Sequence, residues 1–329
     1  MSAHRLNLLL LAAALIAILA ACLLGSTPLA FRTVLEALAG SGTPGDVIVV
    51  REIRLPRALA AFLVGATLGA CGAALQGLLR NPLAEPGVLG VSASAALAAT
   101  FALYYGLAAA GAWVIPVAAT AGALVATALL AAAAIRISSV VTLILLGVGL
   151  SSFAAAAMSL LLNFAPNPFT LADMINWMLG SVANRGYQDL GLALPLMLAG
   201  LATLWVSRRG LSALTLGEEA ALGVGLDLRR QRVLVVVGTG LATGAAVGLA
   251  GAIGFVGIVA PHLVRPLVDH DPARSLLPSA LLGGVLLVVA DIAVRLLPTT
   301  TELKLGVVVA LIGAPAFVWI AIRRRAVSG

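Results

Sequence analysis

Between Val233 and Leu263 the chain runs for 31 residues without an Asp, Glu, Lys or Arg. Written as one helix, that stretch is roughly 46 Å long at 1.5 Å per residue, half as long again as the ~30 Å apolar core of a bilayer. It is not isolated. Uncharged apolar stretches recur at about 6–25, 58–79, 88–110, 112–135, 140–164, 190–206, 276–290 and 305–322, most of them near the ~20 residues a crossing needs. With 61% hydrophobic and 10% charged residues, against about 25% charged in soluble domains, the chain lacks the polar surface to fold in water. A soluble enzyme, a nucleic-acid binder and a disordered chain are excluded together. The stretches are continuous rather than alternating, and aromatics at 5% are too sparse for the girdles of an outer-membrane barrel. The expected class is an all-α protein of the lipid bilayer.

The 233–263 stretch is too long for one crossing and short for two with a loop. Its glycines fall every three or four residues from Gly244 to Gly257, so a tight turn near 249–254 divides it. About ten transmembrane helices result, in a single domain over 1–329. Ten crossings put both termini on one side, which then carries thirteen basic residues against seven on the other. The positive-inside rule makes that side cytoplasmic; nine crossings would export Arg323-Arg324-Arg325. The net charge of +7 therefore reads as retained cytoplasmic arginine, and no nucleic-acid partner is expected. The apolar run from Leu6 to Gly25 is taken as a retained first helix rather than a signal peptide, although Leu19-Ala20-Ala21-Cys22 resembles a lipoprotein cleavage box. Cys22 and Cys71 read as packing residues.

Two loops exceed what a bundle needs. The outer one, 164–190, contains a short amphipathic surface helix at about 170–182. The inner one, about 207–232, holds a charged helical segment from Leu216-Gly217-Glu218-Glu219 to Ala220-Ala221-Leu222-Gly223, either a solvated connector or a docking helix for a cytoplasmic partner.

Chemistry is absent. There is no His-Glu-x-x-His, no metal-ligand cluster and no phosphate-binding loop, since Lys304 precedes Leu305. No cofactor is expected. Ion-driven carriers keep ionisable residues at mid-membrane depth; the spans read here hold almost none. Asp291 lies four residues before Arg295, as in a local ion pair. A passive path, or one driven by energy from another protein, is left.

Arg54-Leu55-Pro56-Arg57, Val64-Gly65-Ala66 and Gln76-x-x-x-Arg80-Asn81-Pro82-Leu83-Ala84-Glu85-Pro86-Gly87-x-Leu89-Gly90-Val91-Ser92 resemble the permease subunits of ABC importers for iron–siderophores, haem and cobalamin. Gly251-Ala252-Ile253-Gly254-Phe255-Val256-Gly257-x-x-x-Pro261-His262-x-x-Arg265 is similar to a second signature of that family. Glu302-x-x-x-Gly306 with Gly313-Ala314-Pro315-x-Phe317 is similar to a third, and Trp177-Met178-Leu179-Gly180-Ser181 also fits. The likeness runs from about residue 50 to 322.

The resemblance implies ten spans with both ends in the cytoplasm and an inverted repeat of spans two to five and seven to ten. It implies a dimer of permease subunits (a homodimer), two cytoplasmic ATPase subunits and one periplasmic binding protein, in the bacterial inner membrane. The chain itself is then a transport subunit and not an enzyme. Arg54, Arg57 and Arg295 are implied to dock acidic residues of the binding protein, against the plainer reading of interfacial anchors and, for Arg295, of a pair with Asp291. Leu216, Gly217, Glu218, Glu219, Ala220, Ala221, Leu222 and Gly223 are implied to be the coupling helix. Asn81, Leu83, Ser138 and Ser139 are implied to line a cytoplasmic constriction, while by residue type Asn81 and the serines are helix caps. The small residues of span five are implied to border the path. Siderophore-bound iron is the first-ranked cargo, haem the second and cobalamin the third. An ion-coupled secondary transporter is the competing class.

Overall fold

The computed structural model describes residues 3–25, 27–137, 139–298 and 302–325, and no strand occurs among them. Fourteen α-helices follow one another: α1 Ala3–Leu23, α2 Phe31–Ala39, α3 Pro44–Val47, α4 Leu55–Leu78, α5 Val91–Tyr104, α6 Val114–Arg136, α7 Val140–Asn163, α8 Pro168–Met178, α9 Tyr187–Ala213, α10 Glu218–Gly223, α11 Leu228–Ala250, α12 Val256–Val264, α13 Pro272–Leu296 and α14 Leu305–Arg325. Among the described residues, seven segments are long and apolar enough to cross a membrane: α1, α4 with the turns before it, α6, α7, α9 with the turn after it, α11 and α13. The apolar helices α5, α12 and α14 are shorter over their described residues.

The turn expected at 249–254 is present. Helix α11 ends at Ala250, Gly251 takes φ +72, and the backbone stays non-helical until α12 starts at Val256. The expected span 88–110 is broken instead. A 3-10 turn over Pro86–Leu89 precedes α5, another over Leu107–Ala110 follows it, and Gly90, Gly106 and Gly111 all have positive φ. Glycine permits these conformations at no steric cost, so the stretch folds as a short helix between two turns. The region 27–54, for which no element was expected, holds α2, α3 and a π-helical turn over Ile48–Arg54. Its signals are local. Thr43 Oγ1 accepts from the Asp46 amide at 3.2 Å with Pro44 at the first helical position, and Gly40 ends α2 at φ +80.

Helix α4 is the hub, and its packing face is glycine. A Cβ at Gly65 would lie 2.2 Å from the Gly283 carbonyl oxygen of α13, and one at Gly69 2.2 Å from that of Ser279. One at Gly72 would lie 1.9 Å from that of Gly257 in α12. Small residues let helix backbones meet where lipid provides no hydrophobic drive. These contacts, with Gly77 beside Pro272, make α4 and α13 antiparallel. The start of α4 and the end of α13 share one end of the bundle, called here the arginine end; Pro272 and the end of α4 mark the opposite end.

Helix pairing has an internal order. Helix α4 packs on α12 and α13, as α11 packs on α5 and α6; α5 packs on α6 and α7, as α12 packs on α13 and α14. Exchanging α4–α7 for α11–α14 maps these pairs onto one another. Helix α1 lies against α13 and α4, with Ala21 and Cys22 buried. Both cysteines are free and buried, as expected of packing residues.

Candidate functional site

At the arginine end the three guanidiniums expected to face a partner turn inward around a cavity of about 290 Å³, lined by Arg54, Arg57, Arg295 and Glu302 among others. Arg54 is 6% exposed. It donates to the carbonyls of Cys22 (2.9 Å) and Leu23 (3.0 Å) and to that of Thr27, satisfying the end of α1. Arg57 donates through Nε and Nη2 to Asp291, at 3.0 and 2.8 Å to Oδ1, and through Nη1 to Glu302 Oε2 at 3.2 Å, with a further close contact from Nη2 to Glu302. Arg295 pairs with Asp291 at 3.1 Å and donates to the carbonyls of Ala21 (3.0 Å) and Leu24 (3.2 Å). The expected Arg295–Asp291 pair is thus present, and Arg57 joins it. Asp291 is fully buried, and two guanidiniums compensate it. The sequence reading missed Arg57–Asp291 and Arg57–Glu302 because the partners lie 234 and 245 positions away.

The three family-like signatures converge in mid-bundle. Pro86 Cδ would lie 3.0 Å from a Cβ on Gly257, and the Leu68 carbonyl oxygen 3.1 Å from it. The segment after α4 therefore folds back into the bundle to the level of Leu68, ten residues before α4 ends. Glu85 rides on it, and its Oε2 accepts from the Phe255 amide at 3.1 Å. It sets a carboxylate at the level of Leu68, midway along α4, outside the spans expected from sequence. Glu85 was counted as loop, but the loop is re-entrant, a form tolerated at depth where protein covers it. Its role is local, since it binds the amide of Phe255, the residue capping α12, which helix formation leaves without a partner. Gln76 Nε2 donates to the Gly257 carbonyl at 3.2 Å. Ser181 N donates to the Ala250 carbonyl at 2.7 Å, and Gly306 N to that of Gly180 at 3.1 Å. Gly313 lies against the Phe255 side chain.

The surface helix expected at about 170–182 is α8, Pro168–Met178. Asn167 Oδ1 caps it from the Thr170 amide at 2.9 Å, and Met174 is buried beneath it.

At the end opposite the arginines, Leu216 closes a 3-10 turn over Leu214–Leu216, Gly217 takes φ +101, and α10 runs on to Gly223. Ala221 is fully buried and Glu218 pairs with Arg232 at 3.4 Å, which fixes one side of α10. Leu216, Leu222 and Val224 are 68%, 55% and 69% exposed, so the other side presents an apolar surface. Of the expected constriction residues, Ser139 caps α7 by accepting from the Thr142 amide at 3.3 Å. Asn81 differs from its expected helix cap: its Oδ1 accepts from the Leu83 amide at 2.9 Å, closing a turn ahead of the re-entrant segment. Ser138 lies outside the described residues, as do the side chains of Phe317 and Arg323 to Arg325.

The profile of the FecCD transport family matches residues 11–323. The chain is 41% identical over 292 residues to the uncharacterized ABC transporter permease YvrB of Bacillus subtilis, covering 87% of this chain and 82% of that one. It is 40% identical over 304 residues to the vitamin B12 import system permease BtuC of Salmonella typhimurium, covering 88% and 91%. A solved inward-facing structure, described as of the metal-chelate type of ABC transporter, superposes with a TM-score of 0.85 at 28% identity, covering 98% and 99%.

Proposed function

The chain belongs to the FecCD transport family as the permease of an ABC importer, a multi-pass protein of the bacterial inner membrane, and on that premise we propose that it admits cobalamin to the cytoplasm as one half of a homodimer. The observation that carries the cargo is the 40% identity to vitamin B12 permeases across 88% of the chain. It moves cobalamin ahead of iron–siderophore and haem, which the motifs alone had ranked first and second. Hydrolysis of ATP falls to two separate ATPase subunits.

In this reading α5, α12 and α14 complete ten crossings with both termini cytoplasmic, and the arginine end faces the periplasm. The interchangeable pairing of α4–α7 with α11–α14 supports an inverted repeat, the arrangement that underlies alternating access in many transporters. The binding protein places acidic residues over Arg54, Arg57 and Arg295, whose cavity opens at that end. The ATPase receives Leu216 to Gly223, and the exposed Leu216, Leu222 and Val224 fill its cleft. Helix α7 leaves Val141, Leu145, Val148, Phe153 and Leu160 exposed, which supports contact with the second subunit along the path. Asn81, Leu83 and Ser139 line the cytoplasmic mouth in this reading, the role expected of Ser138 as well.

The test is the permease reconstituted in nanodiscs with its ATPase and binding protein. Cobalamin-loaded binding protein is expected to stimulate ATP hydrolysis, and ferric siderophore and haem are not. Stimulation by either of those with none by cobalamin overturns the assignment.

A further inference from the structure

Arg57 has both guanidinium edges occupied. Asp291 takes Nε and Nη2, and Glu302 takes Nη1 and Nη2. The two acids differ in access. The Asp291 side chain is 1% exposed and also holds Arg295, so it cannot leave without stranding two buried cations. The Glu302 side chain is 41% exposed, sits on the coil just before α14, and has Arg57 as its partner. A carboxylate arriving from outside can reach Arg57 in bidentate geometry only where Glu302 now lies.

We propose that Glu302 is a built-in stand-in for the docking protein's carboxylate, exchanged for it when the two proteins meet. This rests on the docking reading above and adds its regulation. Within the cluster, Arg54, Arg57 and Arg295 face Asp291 and Glu302, which leaves one net positive charge. With Glu302 swung into water the excess is two, and an incoming acid restores one. The exchange keeps Arg57 compensated throughout, so docking does not require a bare buried charge. It also releases a tether. Glu302 precedes Leu305 by three residues, and α14 begins with Gly306 bonded to the Gly180 carbonyl and pressed on the Leu179 and Ala252 carbonyls. Docking at Arg57 thereby loosens the segment that leads into α14, which is held at the turn after α8 and at the break between α11 and α12.

The experiment measures binding-protein affinity for the full complex in nanodiscs, in wild type, Arg57→Gln, Glu302→Gln and Glu302→Ala. Removing the competitor is expected to tighten docking about 1.5- to fivefold, the scale of one surface-accessible ion pair, while Arg57→Gln weakens it. Unchanged or weaker docking in both Glu302 variants, with Arg57→Gln still weakened, overturns the exchange and leaves the docking site standing. No effect of Arg57→Gln removes the docking site and the exchange with it. A spin label at Leu303→Cys, with Cys22 and Cys71 buried, gives a second readout. Its mobility is expected to rise on docking in wild type and to be high without docking in Glu302→Ala; a label indifferent to both also overturns the proposal.

Discussion

Gly72→Ala tests the backbone contact between α4 and α12. The added methyl would sit 1.9 Å from the Gly257 carbonyl oxygen, 2.6 Å from its carbon and 2.7 Å from its Cα. All three atoms are backbone, so no rotamer change relieves them. Taking the oxygen from 1.9 Å to the 3.0 Å below which Cβ contacts essentially do not occur moves α12 about 1.1 Å away. The same carbonyl accepts from Gln76 Nε2 at 3.2 Å, and that shift lengthens the bond beyond hydrogen-bonding range. Overpacking costs about 1–3 kcal/mol, and a buried pair left without its bond about 1–3 kcal/mol more. The expected loss is therefore about 2–6 kcal/mol, read from SDS-unfolding midpoints of the purified permease by tryptophan fluorescence. Gly149→Ala is the control. Its Cβ meets nothing within 4 Å, so the better helix former is expected to be neutral or to stabilise by up to about 1 kcal/mol. A loss below about 1 kcal/mol for Gly72→Ala would refute the packing argument.

Asp291→Asn leaves Arg57 and Arg295 buried with only Glu302 between them, and is expected to cost about 3–5 kcal/mol in the same titration; an unchanged midpoint contradicts the inward reading of the cluster. Gly217→Ala forces a side chain into φ +101, costing about 1–3 kcal/mol locally. Uptake driven by ATP is expected to fall while binding-protein affinity holds, so equal loss of both removes α10 from coupling. Ser139→Ala removes the α7 cap and is expected to cost about 1 kcal/mol of stability with uptake retained, whereas Ser139→Phe is expected to slow uptake; equal transport in the two puts Ser139 outside the path.

The long uncharged stretches place the ends of α1, α4, α6 and α7 to within about three residues and those of α11 and α13 to within about six, because burial in lipid leaves a pattern that neighbours cannot override. The break at Gly251 was legible for a similar reason, since closely spaced glycines mark where a helix that is too long must stop. Helix α5 was not. Its 88–110 stretch is uniformly apolar, and only the backbone at Gly90 and Gly106 shows that it is divided. The re-entry of Glu85 was hidden because charge in a loop reads as solvent. Arginines were easy to find and hard to orient: sequence gives Arg54 and Arg57 a side of the membrane, while carbonyls at the end of α1 and acids on distant segments decide where they point. The region 27–54 was legible in its Thr43-Pro44 cap and was overlooked because its helices are too short to span.

Where α4 meets α13 and α12, carbonyl faces carbonyl-bearing backbone with no side chain in between. Such a seam has no lubricant. Sliding either neighbour along the axis by one residue, about 1.5 Å, would drive the alanines beside these glycines into the opposing chain. In the importer reading the three helices are therefore expected to move together as a single block, not to slide past one another.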